Sequence, residues 1–112
     1  KSYTGILEGR IVGGYFIQDD FPGKGNHVAN AAYMVSSSER GKGIGKSLGE
    51  HSLEKARALG YDSMKFNAVV SSNKSAVRLW ESLGFKIVGE SPCAFRISSG
   101  EKVSIYIMHK FL

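Results

Sequence analysis

At 112 residues the chain has the length of one domain, with enough apolar residues (42%) for a core and too few charges (22%) for a disordered protein. No apolar run approaches the roughly 20 residues that span a bilayer, which argues against a membrane protein or a membrane partner. The formal charge of +5 is spread along the chain among acidic residues. This argues against a nucleic-acid partner and favours a solvated surface with a site for one polyanion.

The cysteine content indicates a reducing compartment. Cys93 is the only cysteine, so the chain cannot form an internal disulfide. We therefore expect a cytoplasmic protein. The chain begins at Lys1, almost directly in strand-like sequence, and we expect that an upstream segment is absent from it.

The first third of the chain predicts a hairpin, a loop and a strand. Two β-rich runs, 3–7 and 11–18, are separated by a short polar turn, and Gly13 and Gly14 in the second run predict a bulge or a close backbone approach. Residues 19–26 contain proline and glycine in a pattern typical of a loop. The run 28–35 is apolar except for Asn30 and predicts a strand.

A strand followed by a helix then occurs twice, which predicts an α/β fold. The first helix is expected at about 43–59, ended by Gly60, and follows the strand 28–35. The second follows a strand at 64–70, with Ser72 as its N-cap and Gly84 as its end. Short strands at 85–88, 94–97 and 102–109 complete the domain. A right-handed crossover would place the ends of the first two parallel strands, near Val35 and Val70, beside the start of the first helix.

The segment 35–48, V-S-S-S-E-R-G-K-G-I-G-K-S-L, connects the strand to this helix. A helical glycine costs roughly 0.8–1 kcal/mol relative to alanine, so Gly41, Gly43 and Gly45 need a compensating role. An anion would supply it, because the first N–H groups of a helix are unpaired and carry roughly half a positive charge. The same segment carries three basic residues: Arg40, Lys42 and Lys46. On the glycine spacing alone, a turn without a ligand is an equal alternative.

Two motifs in this chain resemble those of the GNAT superfamily of acetyl-CoA-dependent N-acetyltransferases. Arg40, Gly43 and Gly45 fill the pyrophosphate-loop pattern Q/R-x-x-G-x-G/A. The second signature, an Asn followed by A-x-x-L-Y-E-x-x-G-F, is matched at Asn73, Ala76, Leu79, Glu81, Gly84 and Phe85. One position departs from the pattern, because Trp80 stands where the family usually has tyrosine.

The resemblance implies a GNAT-like central mixed sheet with helices on both faces, here without the family's N-terminal strand and two helices. It also implies acetyl-CoA (CoA) as co-substrate, with no metal. The residues implied to bind it are Tyr33, Met34, Val35, Arg40, Gly41, Lys42, Gly43, Ile44, Gly45, Lys46, Asn73 and Trp80. Asn73 has an alternative role as a helix cap, and Trp80 as a core residue.

Acetyl transfer requires a deprotonated amine, a polarised thioester carbonyl and a stabilised thiolate. By resemblance, the backbone N–H of Val35 polarises the carbonyl. Trp80 cannot act as the acid, because an indole N–H has no useful pKa, so water or another group must protonate the thiolate. His27, before the central strand, is the imidazole nearest the site in sequence and the candidate base. A surface or capping role is its alternative.

Asn30 and Asn67 interrupt apolar strands, where an unpaired buried amide costs roughly 1–3 kcal/mol. Their segments, N-A-A-Y-M-V and F-N-A-V-V-S-S-N, are similar to the branch that acetylates proline analogues such as azetidine-2-carboxylate. By that resemblance the two asparagines hold the acceptor's carboxylate; the alternative is a hydrogen bond between the two amides. The expected acceptor is thus a small-molecule amine. A protein or peptide acceptor and a non-catalytic CoA-binding domain are alternatives, and a homodimer is left open.

Overall fold

The structure is a computed structural model that describes residues 2–7, 10–21, 23–35 and 43–112. Its elements in chain order are β1 Ser2–Leu7, β2 Arg10–Asp19, a 3₁₀ helix Gly23–Gly25, β3 Val28–Val35, α1 Ile44–Ala58, β4 Ser63–Val70, α2 Lys74–Ser82, β5 Lys86–Arg96 and β6 Lys102–Phe111. The strands form one mixed sheet in the order β1-β2-β3-β4-β6-β5. The α/β fold class predicted from the sequence is confirmed.

The predicted hairpin of β1 and β2 is present, and β2 pairs on its other side with β3. Between β1 and β2 the register shifts, because Gly5 pairs with Gly13 but Ile6 pairs with Ile11. Val12 is thus the extra residue of a bulge beside the glycine pair, as predicted. β3 and β4 are parallel and are joined through α1, so their C-terminal ends lie at one edge of the sheet.

The hydrophobic core lies between the sheet and the two helices. Tyr33 of β3 contacts both helices: its hydroxyl meets Ser52 of α1, and its ring centroid lies 4.6 Å from that of Trp80 in α2. Both helices therefore lie on the same face of the sheet, whereas the expectation placed helices on both faces. None of the described helices is long and apolar enough to cross a membrane.

Two elements differ from the sequence predictions. The runs 85–88 and 94–97 belong to one strand, β5, which lies at the sheet edge and can include Pro92 because no N–H is needed on the free side. The register of β5 shifts twice, and Cys93 has a φ of 53°. The N-cap of α2 is Asn73, not Ser72: its side chain accepts a hydrogen bond from the backbone N of Ala76 at 3.3 Å.

Candidate functional site

A cleft opens where β3 and β4 separate. Only three parallel pairs join the two strands: Val28 with Ser63, Ala29 with Met64, and Asn30 with Lys65. Both strands continue beyond these pairs, to Val35 and Val70, and the space between them has a volume of about 390 Å³. The two strands therefore diverge toward their C-terminal ends. Beyond Asn30, the backbone of β3 has no strand partner on this side and can pair with an extended ligand.

The cleft combines aromatic walls with amide side chains. Its aromatic residues are Phe16, Tyr33, Phe66 and Trp80, and its amide side chains are Asn30, Asn67 and Asn73. The Trp80 side chain is 7% exposed, and its ring centroid lies 4.7 Å from that of Phe66. The indole is therefore buried in the core, which confirms the alternative of a core residue, and it also lines the cleft.

The hydroxyl of Tyr33 is directed into the core. It hydrogen-bonds to Ser52 Oγ, which donates in turn to the carbonyl of Gly49 at 2.7 Å. Burial raises the pKa of Tyr33 far above its ordinary value. Tyr33 therefore contributes an apolar wall and a backbone edge to the cleft, and its hydroxyl is a poor substitute for the missing family tyrosine.

The glycines at the start of α1 have separate structural roles. Gly43 is the N-cap, with a φ of 77°, and no atom of the described residues lies within 4 Å of the position its Cβ would take. Gly45 is helical, but an added Cβ would lie 3.1 Å from Leu79 Cδ2 of α2. Of these two glycines only Gly45 is helical, and it lies where α2 approaches α1, whereas Gly43 precedes the helix.

The start of α1 has backbone N–H groups that bond to no acceptor among the residues that the structure describes. The first intrahelical hydrogen bond runs from Ser47 N to Gly43 O at 3.1 Å, so the N–H groups of residues 44–46 have no helical acceptor. Lys46 is exposed beside them, and Ile44 packs on the core. The predicted ligands Arg40, Gly41 and Lys42 lie outside the described residues.

The three asparagines of the cleft differ in how far their amides are already used. Asn73 Oδ1 caps α2 and also accepts from Ser75 Oγ at 3.1 Å, which confirms the capping alternative. The half-buried side chain of Asn30 makes no hydrogen bond to any residue that the structure describes. Asn67 Nδ2 donates to Asp20 Oδ1 at 3.1 Å. The alternative of a hydrogen bond between Asn30 and Asn67 is therefore not observed.

His27 does not line the cleft. It is exposed in the turn before β3, where its carbonyl accepts a hydrogen bond from Asp62 N at 2.9 Å. The eight residues of β3, at about 3.3 Å each, separate this turn from Val35 by more than 20 Å. The geometry gives no support to His27 as a base. Among the described residues, no group of three His, Cys, Asp or Glu side chains could hold a metal ion.

Asp20 contacts Asn67 of the cleft, although no local sequence pattern indicates this. It follows β2 in the segment predicted as a loop, 47 positions before Asn67, and its carboxylate accepts from both Asn67 and Lys65. The alternation of apolar and polar residues along one strand cannot reveal such a contact, because the contact depends on the order of the strands in the sheet.

Comparison with known proteins places this geometry in a family. The profile of the Acetyltransferase (GNAT) family matches residues 1–85. The chain is 36% identical over 91 residues to N-acetyltransferase aca1 of Schizosaccharomyces pombe and 36% identical over 91 residues to N-acetylaspartate synthetase of Xenopus tropicalis. These matches cover 81% and 78% of the chain, but only 44% and 31% of the relatives, so the chain spans less than half of each.

A solved structure agrees with these relatives. The fold superposes on a GCN5-related N-acetyltransferase from Kribbella flavida with a TM-score of 0.90 and 38% identity, covering 94% of this chain and 62% of that one. The family match spans most of the chain and includes α1, α2 and both strands that form the cleft. The chain therefore belongs to the GNAT family of acetyltransferases.

Proposed function

We propose that this domain transfers an acetyl group from acetyl-CoA to the amine of a small molecule. The observation that carries the proposal is the cleft, in which the β3 edge beyond Asn30 has no strand partner and leads toward the uncapped start of α1. An extended arm ending in a pyrophosphate matches this arrangement, because the strand edge offers backbone hydrogen bonds and the helix start offers N–H donors.

Each part of the cofactor has proposed contacts. The pantetheine arm pairs with the backbone of Tyr33, Met34 and Val35, and the Nδ2 of Asn73 is left to bind the same arm because its Oδ1 caps α2. The pyrophosphate lies on the N–H groups of residues 44–46, with Lys46 and the basic residues Arg40 and Lys42 around it.

When bound, acetyl-CoA supplies the acetyl group as a thioester. The backbone N–H of Val35 donates to the thioester carbonyl, and Trp80 and Phe66 exclude water from one side of the acetyl group. Water, rather than Trp80 or His27, carries protons from the amine and to the thiolate, because neither side chain is both titratable and in the cleft.

The proposed acceptor is an amino acid or a similar amine, including a proline analogue such as azetidine-2-carboxylate. Asn30 and Asn67 place two amides in a cleft otherwise lined by apolar side chains, a pattern that suits a small polar ligand. The relative from Xenopus tropicalis supports this class, since its name identifies an acetylated amino acid.

The cofactor site can be tested with a matched pair of glycine variants. Gly43→Ala should reduce acetyl-CoA affinity in calorimetry with the full-length protein. Gly60, after α1, has a φ of 89° and equally open surroundings, so Gly60→Ala introduces a similar backbone strain away from the cleft and should leave affinity unchanged. Equal affinities for both variants and the wild type would contradict the cofactor site.

The acceptor class can be tested by thiol release from acetyl-CoA with amino acids, azetidine-2-carboxylate and lysine-containing peptides. We expect turnover with one or more of the small amines. Preference for peptides would identify a protein acetyltransferase, and tight acetyl-CoA binding without any turnover would identify a non-catalytic domain. Either result would refute a small-molecule acceptor.

A further inference from the structure

Asn67 lies at a bulge in β4. Phe66 pairs with Met108 of β6, but the next pair is Val69 with Tyr106, so Asn67 and Ala68 together oppose a single residue of β6. Both are exposed, and both line the cleft. Asn67 therefore lines the cleft at a point where the pairing of β4 with β6 is irregular, and bulges are common near binding sites.

The carboxylate of Asp20 fixes the orientation of this amide. The Asp20 side chain is only 6% exposed, and it receives Nδ2 of Asn67 at 3.1 Å and Nζ of Lys65 at 2.8 Å. An ionised carboxylate only accepts hydrogen bonds, so the nitrogen of the carboxamide, rather than its oxygen, must face Asp20.

Asp20 remains ionised over the working pH range. Burial opposes its ionisation, but the hydrogen bonds from Lys65 and Asn67 outweigh burial and hold the pKa of Asp20 below its ordinary value. The acceptor character of this carboxylate is therefore constant at neutral pH.

We propose that Asp20 is a positioning residue that presents Asn67 Oδ1 to the cleft as a hydrogen-bond acceptor, so that Asn67 selects the amine of the acceptor substrate. This inference rests on the proposed function. No described residue donates to Oδ1, and one N–H of Nδ2 is held by Asp20. A carboxylate of the substrate needs donors, and an amine brings its own N–H to an acceptor such as Oδ1.

Asn30 is then the asparagine suited to a substrate carboxylate. Its side chain has no hydrogen-bond partner among the described residues and can turn its Nδ2 toward an anion. The two asparagines thus divide recognition of an amino acid between the two walls of the cleft. This differs from the family resemblance, by which both hold the carboxylate.

Steady-state kinetics with azetidine-2-carboxylate and with azetidine, which lacks the carboxylate, test this division. Asn67→Ala should raise KM for both amines by a similar factor, and Asn30→Ala should raise KM mainly for azetidine-2-carboxylate. If Asn67→Ala raises KM only for the carboxylate-bearing amine, Asn67 binds the carboxylate and the proposal is refuted.

The role of Asp20 is tested by replacing its carboxylate with an amide of similar shape. Asp20→Asn should raise the amine KM about tenfold, as expected for one misdirected hydrogen bond, with kcat and the acetyl-CoA KM nearly unchanged. Lys65→Met is the matched control, because it removes the same ion pair and leaves the bond from Asn67 to Asp20 in place. An equal rise in amine KM for both variants would show that the ion pair, not the amide orientation, matters.

Side-chain amide NMR gives a readout that needs neither acetyl-CoA nor an acceptor. The Asn67 NH₂ resonances should shift as pH falls through the titration of Asp20 in the full-length wild type, and this shift should be lost in Asp20→Asn. A pH-independent Asn67 signal in the wild type would refute the positioning role. Failure of the proposed function is distinguishable, because it would abolish acetyl-CoA binding or turnover in the wild type and leave this titration intact.

Discussion

Trp80 is part of the hydrophobic core and also forms part of the cleft wall. Its ring contacts those of Tyr33, Phe66 and Phe85, with centroids 4.6, 4.7 and 6.3 Å away. Truncation to alanine would therefore remove core packing and cost about 3–5 kcal/mol of folding free energy, typical of buried tryptophan. Such a loss would obscure any effect on catalysis, so aromatic replacements are the informative ones.

We predict that Trp80→Phe retains most of the acetyl transfer rate, because a wall needs apolar area and not an indole N–H. Trp80→Tyr supplies a hydroxyl with an ordinary pKa of about 10. If that hydroxyl can serve as the acid, the variant will be faster than the wild type and its pH–rate profile will gain a basic limb. Loss of turnover in Trp80→Phe, with acetyl-CoA affinity intact, would instead show that the indole N–H takes part.

Tyr61 connects the start of β4 to the end of β2. Its hydroxyl donates to Asp19 Oδ1 at 2.6 Å, and this hydrogen bond, with burial and the negative charge, raises the pKa of Tyr61 to about 12. The folded state thus favours protonated Tyr61, so its contribution to stability is complete below pH 10 and is lost as pH rises to about 12.

For Tyr61→Phe we predict a loss of about 1 kcal/mol in urea unfolding at pH 7, the usual net value of one hydrogen bond. Between pH 10 and about 12 the wild type should lose this advantage over the variant. A difference between the two proteins that stays constant up to pH 12 would mean that the Tyr61 hydroxyl does not titrate as a hydrogen-bonded donor.

At the scale of elements, the approach of α1 to α2 depends on glycines. A Cβ added at Gly49 would lie 2.6 Å from Leu83 Cδ1 and 3.0 Å from Trp80 Cζ3. The tip of Leu83 can rotate away, but the Trp80 ring is fixed by its aromatic neighbours. At Gly45 the only close atom among the described residues is Leu79 Cδ2, the end of a flexible side chain.

We predict that Gly49→Ala destabilises the domain by about 1–2 kcal/mol, since overpacking exceeds the gain in helix propensity. Gly45→Ala is the control and should be nearly neutral. In a Trp80→Phe background the penalty of Gly49→Ala should decrease, because the smaller ring leaves space. Thermal unfolding of the four variants measures this coupling, and an unchanged penalty would mean that Trp80 is not the obstacle.

The sequence predicted most elements because each depends on neighbouring residues. The span of β3 was predicted correctly, and α1 and α2 end before Gly60 and Gly84 as expected. Residues 85–96 were divided wrongly, because Pro92 is tolerated only at an edge, and the sequence does not reveal strand order. The same limit applies to Asp20 and to the bulge at Asn67, which arise from pairing between distant segments.

At the scale of the whole molecule, the sheet consists of two halves, each continuous in the chain. β1, β2 and β3 form one half, β4, β6 and β5 form the other, and three residue pairs connect them. A ligand in the cleft would contact both halves. At 100 times its Kd, such a ligand adds about 2.7 kcal/mol to the free energy of unfolding.

Hydrogen exchange can locate this effect. On binding acetyl-CoA, we predict slower exchange for the cleft-facing amides of residues 31–35 and for residues 44–46, because these gain hydrogen-bond partners. The hydrogen-exchange rates along β5 should be unchanged. The amides on the free side of this edge strand exchange through local fraying, which a ligand in the cleft does not affect. Protection confined to β5, with none in β3, would place the ligand elsewhere.

The composition of β5 also bears on aggregation. This strand is eleven residues long, lies at the sheet edge and exposes the apolar side chains Ile87, Val88 and Phe95, features that invite a strand from another molecule. Pro92 offers no N–H to such a strand, and Cys93 next to it departs from extended geometry. A strand from another molecule can therefore form backbone hydrogen bonds only with two short stretches of β5. This interruption limits fibre growth from that edge.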